Sequence, residues 1–162
     1  MKVLTIIDEQ FGDYYKPQMF IGCVNCDFKC AREGGFDPKI CQNHLWKNQP
    51  IIEISPEQII RRYLHNPITS AIVFGGLEPM LQKQDIFDFI SCLREKGNQD
   101  DVVIYTGYYP EELSDFIKRL KKAKFQNIFF KFGRFVPNQK PHYDEVLKVD
   151  LASDNQFAQK IC

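Results

Sequence analysis

The sequence lacks any apolar run long enough to span a bilayer, and it contains no repeat or low-complexity tract. Residues 3–7 are apolar, but Asp8 and Glu9 end the run at once. No signal peptide is therefore expected, and the expected location is the cytosol. A surplus of either charge is also missing, since 21 Lys and Arg balance 21 Asp and Glu. A general nucleic-acid binder needs a basic surplus to neutralise phosphates, so neither nucleic acid nor a membrane is expected as a partner. Histidine is scarce. His44 reads as a loop side chain near Cys41, His65 as a helix C-terminal residue favourable to the dipole, and His142 as a spare candidate for metal or proton chemistry.

What is present, for a chain of 162 residues, is cysteine: Cys23, Cys26, Cys30, Cys41, Cys92 and Cys162. The first four crowd between positions 23 and 41. Without a secretory signal, such crowding points to metal or redox chemistry rather than disulfides. Cys92 falls within an amphipathic pattern and reads as a small core residue, and Cys162 as a frayed terminal one. The length and the 44% hydrophobic fraction suit one domain over residues 1–162 with a proper core.

Hydrophobic periodicity predicts the elements. Residues 2–7 and 18–22 read as short strands, and 23–47 as an irregular Cys-rich loop. Ser55, Pro56 and Gln58 form a helix start with a capping box, and the helix runs to about His65. Apolar strands at 70–74, 102–106 and 127–132 alternate with helical patterns at 83–96 and 110–123. Gly75 and Gly76 mark the end of the first of these strands. Continuous apolar strands between helices imply an α/β fold with a mostly parallel sheet. There are too few units for eight strands, so an open, partial α/β barrel is expected. The loops Gly75–Pro79, Thr106–Tyr109 and Gly133–Pro137 then build the site at the C-terminal strand ends.

The cysteine spacing is C-x2-C-x3-C-x10-C. Thiolates are soft ligands for zinc and for iron–sulfur centres. Four could close a tetrahedral zinc site, whereas three would leave one iron of a cubane open. Spacing alone does not choose between them, nor between these and a redox C-x-x-C at Cys23 and Cys26.

Two motifs together carry a resemblance. The segment CDFKC, Cys26 to Cys30, resembles the start of the radical S-adenosylmethionine (SAM) signature, and ICQNHLW resembles its end, with a longer loop between them. The segment FGGLEPML, residues 74–81, resembles the GGEP motif of the same superfamily, with Leu77 inserted. VVIYTGYYPEEL (102–113) and LASDNQ (151–156) resemble segments of anaerobic ribonucleotide reductase activating enzymes. The GRF at 133–135 lies near that family's Asp-Gly pair, with Phe132 in place of the acid.

The resemblance implies a radical SAM enzyme with a [4Fe–4S] cluster on Cys26, Cys30 and Cys41, Cys23 being the alternative to Cys26. It implies SAM contacts from Ile40, Gly75, Gly76, Glu78, Thr106, Ser153 and Asn155. It also implies a glycyl radical enzyme as partner, a peptide or small molecule being the alternative substrate. The basic run at 118–124 reads as a solvated helix face, with an acidic electron donor such as a flavodoxin as its functional alternative. A zinc-stabilised interaction module without catalysis is the competing class.

Overall fold

A computed structural model describes residues 1–162. Strand β1 (Lys2–Gln10) runs antiparallel to β2 (Gln18–Cys23) and, at its start, to the two-residue β3 (Ile52–Glu53). Between β2 and β3 lies a short helix, α1 (Lys29–Gly34), followed by two 3-10 turns, so the Cys-rich segment is more ordered than its sequence suggests. Three β–α units follow: α2 (Pro56–Leu64) into β4 (Ala71–Gly76), α3 (Lys83–Glu95) into β5 (Asp101–Tyr105), and α4 (Ser114–Lys122) into β6 (Ile128–Phe132). The chain ends in a small hairpin, β7 (His142–Asp144) and β8 (Val149–Leu151), and an edge strand, β9 (Phe157–Lys160), none of which the periodicity predicts.

The seven-stranded sheet has the order β3-β1-β2-β4-β5-β6-β9. Its four central strands, β2, β4, β5 and β6, run parallel, and its flanks are antiparallel. Strand order advances in one direction from β2 to β6. Right-handed crossovers then place every connecting helix on the same face of the sheet. The buried residues obey this. Ile59 and Ile60 of α2, Phe89 and Ile90 of α3, and Leu120 of α4 share one core with Ile72, Phe74, Ile104 and Phe130. The alternate strand residues Phe20, Val73 and Val103 face the other way, against Tyr14 and against Leu147 and Leu151 of the hairpin region.

Helix α2 begins with the expected capping box: Gln58 N–H donates to Ser55 Oγ at 3.2 Å, and Gln58 Oε1 accepts from Ser55 N–H at 3.0 Å. Gly75 and Gly76 do not end β4 but form its last two residues, because the parallel ladder continues through Gly22–Gly75 and Cys23–Gly76. The pattern at 110–123 divides into a 3-10 turn, Pro110–Leu113, and α4 proper. Cys162 is not frayed: it packs against the core, and its carbonyl accepts from Ile128 N–H at 2.9 Å. No helix is long and apolar enough to cross a membrane.

Phe89 is wholly buried and meets Phe74 edge to face, with ring centroids 5.2 Å apart, so it joins α3 to the central strand. Phe89→Ala should lower unfolding stability by about 3–5 kcal/mol through lost burial and a residual cavity. Urea denaturation measures this; a loss below ~1 kcal/mol would place the residue outside the core.

Candidate functional site

The C-terminal ends of the parallel strands open onto a cavity of about 550 Å³. Cys26, Cys30 and Cys41 all line it, as do Gly75, Gly76 and Glu78. Cys23 does not. It ends β2 with its side chain in the helix-side core, wholly buried. The alternation of the strand thus sends Cys23 to one face while the loop that follows carries the other three cysteines to the opposite one. A four-cysteine zinc site would need Cys23 in the same cluster, and no three His, Cys, Asp or Glu side chains converge as ligands of a single metal ion.

The loop is tied to the GGLEP segment. Leu77 N–H donates to Cys23 O at 3.3 Å, and Glu78 N–H to Asn25 O at 2.6 Å. The buried Gln82, just after that segment, ties it to the loop and to β1: its Oε1 accepts from Val24 N–H at 2.8 Å, and its Nε2 donates to Lys2 O at 2.8 Å. At the far end of the loop, Trp46 lies over the strand ends. A Cβ on Gly76 would come within 3.2 Å of its ring, and one on Gly22 within 2.7 Å. A Cβ on Gly75 would meet Phe20 at 2.8 Å. Gly76 also has φ +80°, a left-handed conformation that glycine adopts without steric cost. These glycines therefore seat Trp46 and Phe20 as well as leaving backbone open to the cavity.

Glu78 is a buried carboxylate held by three donors. Oε1 accepts from Met80 N–H at 2.9 Å and from Thr106 Oγ1 at 2.7 Å, and Oε2 accepts from Gly107 N–H at 2.8 Å. Burial raises its pKa, and these bonds pull it back down. Thr106 is equally buried, and its hydroxyl also accepts from Tyr108 N–H at 3.0 Å. Lys131 on β6 completes the set and is the residue that sequence reasoning missed. It is 8% exposed and lines the cavity, and its one bond is a long one, 3.4 Å, to Thr106 O. Burial lowers its pKa to about 8, with Glu78, Cys30 and Cys41 acting in the opposite direction. The signal was available: one lysine in IFFKF, a strand otherwise wholly apolar.

The thiols meet backbone donors. Cys26 Sγ accepts from Phe28 N–H at 3.3 Å and Cys30 Sγ from Phe135 N–H at 3.4 Å. Burial pushes the Cys26 thiol up to about 12 and raises that of Cys30. Thiols so placed need a nearby cation to ionise, which an iron–sulfur cluster supplies. Three soft donors from one loop, facing one cavity with N–H groups aimed at two of the sulfurs, fit such a cluster.

Three expected SAM contacts lie outside the cavity lining. Ile40 is 53% exposed. Ser153 is wholly buried, but its hydroxyl accepts from Val136 N–H at 2.8 Å and donates to Val136 O at 3.1 Å. Asn155 Nδ2 donates to Tyr109 Oη and Arg134 O, both at 2.9 Å. His44 and His142 do not line the cavity either. The basic run at 118–124 lies along and beyond the C-terminal part of α4, which leads back to the start of β6 and so away from the cysteines. A wider hollow of about 1100 Å³ between the starts of α2 and α3 has no cysteine in its walls.

Removing a cavity cysteine should abolish cluster assembly. Wild-type protein loaded anaerobically with iron and sulfide should hold about four irons per chain. Cys26→Ala, Cys30→Ala and Cys41→Ala should each lose the cluster absorbance, and Cys23→Ala should keep it. Full iron content in Cys41→Ala, or its loss in Cys23→Ala alone, would overturn this ligand set.

A family model described as a 4Fe-4S single cluster domain matches residues 18–156. The match takes in the three cavity cysteines, the GGLEP segment and Lys131. No curated protein matches the chain. With the match covering most of the chain, from β2 to the residue before β9, the protein belongs to the 4Fe-4S single cluster domain family and is an iron–sulfur protein.

Proposed function

We propose that this iron–sulfur protein is a radical SAM enzyme whose open, partial α/β barrel carries its site at the ends of the parallel strands. The observation that carries the reading is the shared cavity: Cys26, Cys30 and Cys41 line it together with Gly75, Gly76 and Glu78 of the GGLEP segment. Cys26, Cys30 and Cys41 would hold a cubane through three of its irons, and the fourth would be available to the amino and carboxylate groups of SAM. When bound, the cluster supplies the single electron that cleaves SAM to methionine and a 5′-deoxyadenosyl radical.

The chain's own residues bind, orient and exclude water. Glu78 Oε2 accepts only one bond within the protein and keeps a lone pair for an ammonium group. Thr106 and Gly107 hold that carboxylate still. Lys131, with donors to spare, offers a cation to an anionic part of the ligand. Phe20, Trp46 and Tyr105 form apolar walls that keep water from a reactive carbon radical.

The substrate in this reading is a glycine of a larger glycyl radical enzyme of the anaerobic ribonucleotide reductase type, and a flavodoxin-like protein is the electron donor. The support is the likeness of residues 102–113 and 151–156 to the activating enzymes.

With dithionite under strict anaerobiosis, the loaded protein should convert SAM to 5′-deoxyadenosine and methionine, and Cys30→Ala should be inert. Glu78→Ala should keep its cluster but bind SAM more weakly by about 1.5–3 kcal/mol, the worth of a hydrogen bond to a charged group. A loaded protein that binds SAM and yields no 5′-deoxyadenosine would end the enzymatic reading. Cleavage without a glycine-centred radical on a cognate ribonucleotide reductase would redirect it to a peptide or small-molecule substrate.

A further inference from the structure

Helix α1 carries Cys30, and it is poorly equipped to hold itself. It has six residues, and its N-cap Phe28 has φ 50° and ψ 36° and no capping side chain of its own, the Lys29 N–H being taken by Asp27 Oδ1 at 3.2 Å. A helix so short is not stable alone, and a left-handed phenylalanine persists only when its surroundings impose it. Lys29 and Glu33 of the helix join a group of charges around Arg134, a residue in the loop after β6.

Arg134 is 7% exposed, yet every face of its guanidinium is engaged. Nε donates to Glu33 Oε2 at 2.9 Å and Nη2 to Glu112 Oε1 at 2.7 Å, while Nη1 donates to Gly107 O. The guanidinium carbon lies 5.3 Å from the Tyr108 ring centroid and 5.1 Å from that of Tyr109. Lys29 closes the ring of charges, paired with Glu112 and, at 3.6 Å, with Glu33. Asn155 supports the loop from behind through its bonds to Arg134 O and Tyr109 Oη. Two positive and two negative side chains thus compensate one another, the condition under which a buried guanidinium is tolerated.

The charges grouped around Arg134 bracket Cys30. Lys29 and Glu33 stand on either side of it along α1. Gly107, whose carbonyl accepts from Arg134, is packed so closely that a Cβ there would lie 3.1 Å from Cys30 Sγ and 3.4 Å from Glu78 Oε2. The residue after Arg134 donates its N–H to Cys30 Sγ. We infer that Arg134 is the positioning residue of the metal centre, a latch that presses the Cys30 helix onto the loops after β5 and β6 and so fixes the Cys30 thiolate against Gly107 and Phe135. It touches neither sulfur nor ligand and acts through Glu33, Glu112 and Gly107. This inference rests on the cluster alone and does not require that SAM be the ligand.

The test uses the anaerobically loaded full chain and the rate at which a ferrous chelator strips its iron at a temperature well below unfolding. Arg134→Gln should lose iron at least about tenfold faster than wild type, since it breaks hydrogen bonds to two carboxylates. Arg134→Lys, which keeps the charge but not the fork, should fall between the two. Amide hydrogen exchange at residues 28–34 should rise in Arg134→Gln, and the spectrum of its reduced cluster should broaden or shift. Arg94→Gln is the control. Arg94 likewise ties loops together, donating to the backbone carbonyls of Asn98, Asp100 and Gln126, but none of these lines the cysteine cavity as Gly107 does. A chelation rate that is unchanged, or raised no more than in Arg94→Gln, would overturn the proposal. Should Arg134→Gln fail to fold, the half-exposed Glu33→Gln carries the same measurement, with faster iron loss expected and an unchanged rate contradicting it.

Discussion

The site depends on one buried carboxylate. Glu78 sits where β4 gives way to its loop, and it accepts bonds from Met80, Thr106 and Gly107. Carboxylates are costly to bury unless their oxygens are satisfied, so the ends of β4 and β5 must stay in register around it. Gly107 in turn packs beside Cys30: a Cβ there would lie 3.1 Å from the Cys30 sulfur. The same residue reaches back through its N–H to Asn25, at the beginning of the cysteine loop. A residue that looks like a ligand contact is also the joint between two strands and the loop that follows a third.

Around that joint the protein concentrates groups that are unstable alone. Burial works against the thiolates of Cys26 and Cys30 and against the ammonium of Lys131, and it raises Glu78. Opposite charges in one poorly solvated cavity relieve one another. The Arg134 group extends the principle outwards: Arg134 and Glu33 with Glu112 and Lys29 neutralise each other at the rim. Glu112 is held down to about 2 mainly by Arg134, so its charge persists through mild acid. Stability contributed by that carboxylate is present above its ordinary pKa and is lost only as the pH falls towards that low value. The helix-side core is apolar and indifferent to these charges, which leaves the sheet to act as a rigid base for them.

Much of this was legible in the sequence where one local rule decided the outcome. Ser55, Pro56 and Gln58 announced a helix start, and β–α alternation announced the parallel centre of the sheet. Cys26, Cys30, Cys41 and the GGLEP segment were singled out by spacing and likeness, and the fold brings them to one cavity. Helix α1 was not legible, because its N-cap Phe28 is left-handed and has no capping side chain, the Lys29 N–H being held by Asp27 instead. Gly75 and Gly76 read as terminators, yet a parallel partner, Gly22 and Cys23, extends the ladder through them. Arg134 was invisible for a different reason. Its partners Glu33 and Glu112 lie 101 and 22 residues away, and only the fold brings them together. Ser153 and Asn155 read as polar contacts for a ligand, whereas their bonds turn inward to Val136, Tyr109 and the Arg134 loop.

The central claim is that three cysteines, Cys26, Cys30 and Cys41, hold the cluster and leave one iron open to a ligand. Electron paramagnetic resonance of the reduced, loaded protein tests it most directly, recorded with and without SAM. An open iron predicts that SAM changes the spectrum of the wild type, and that the change survives in Cys23→Ala. A spectrum unmoved by saturating SAM in both proteins would mean a cluster whose irons are all closed by protein ligands, and would contradict the account.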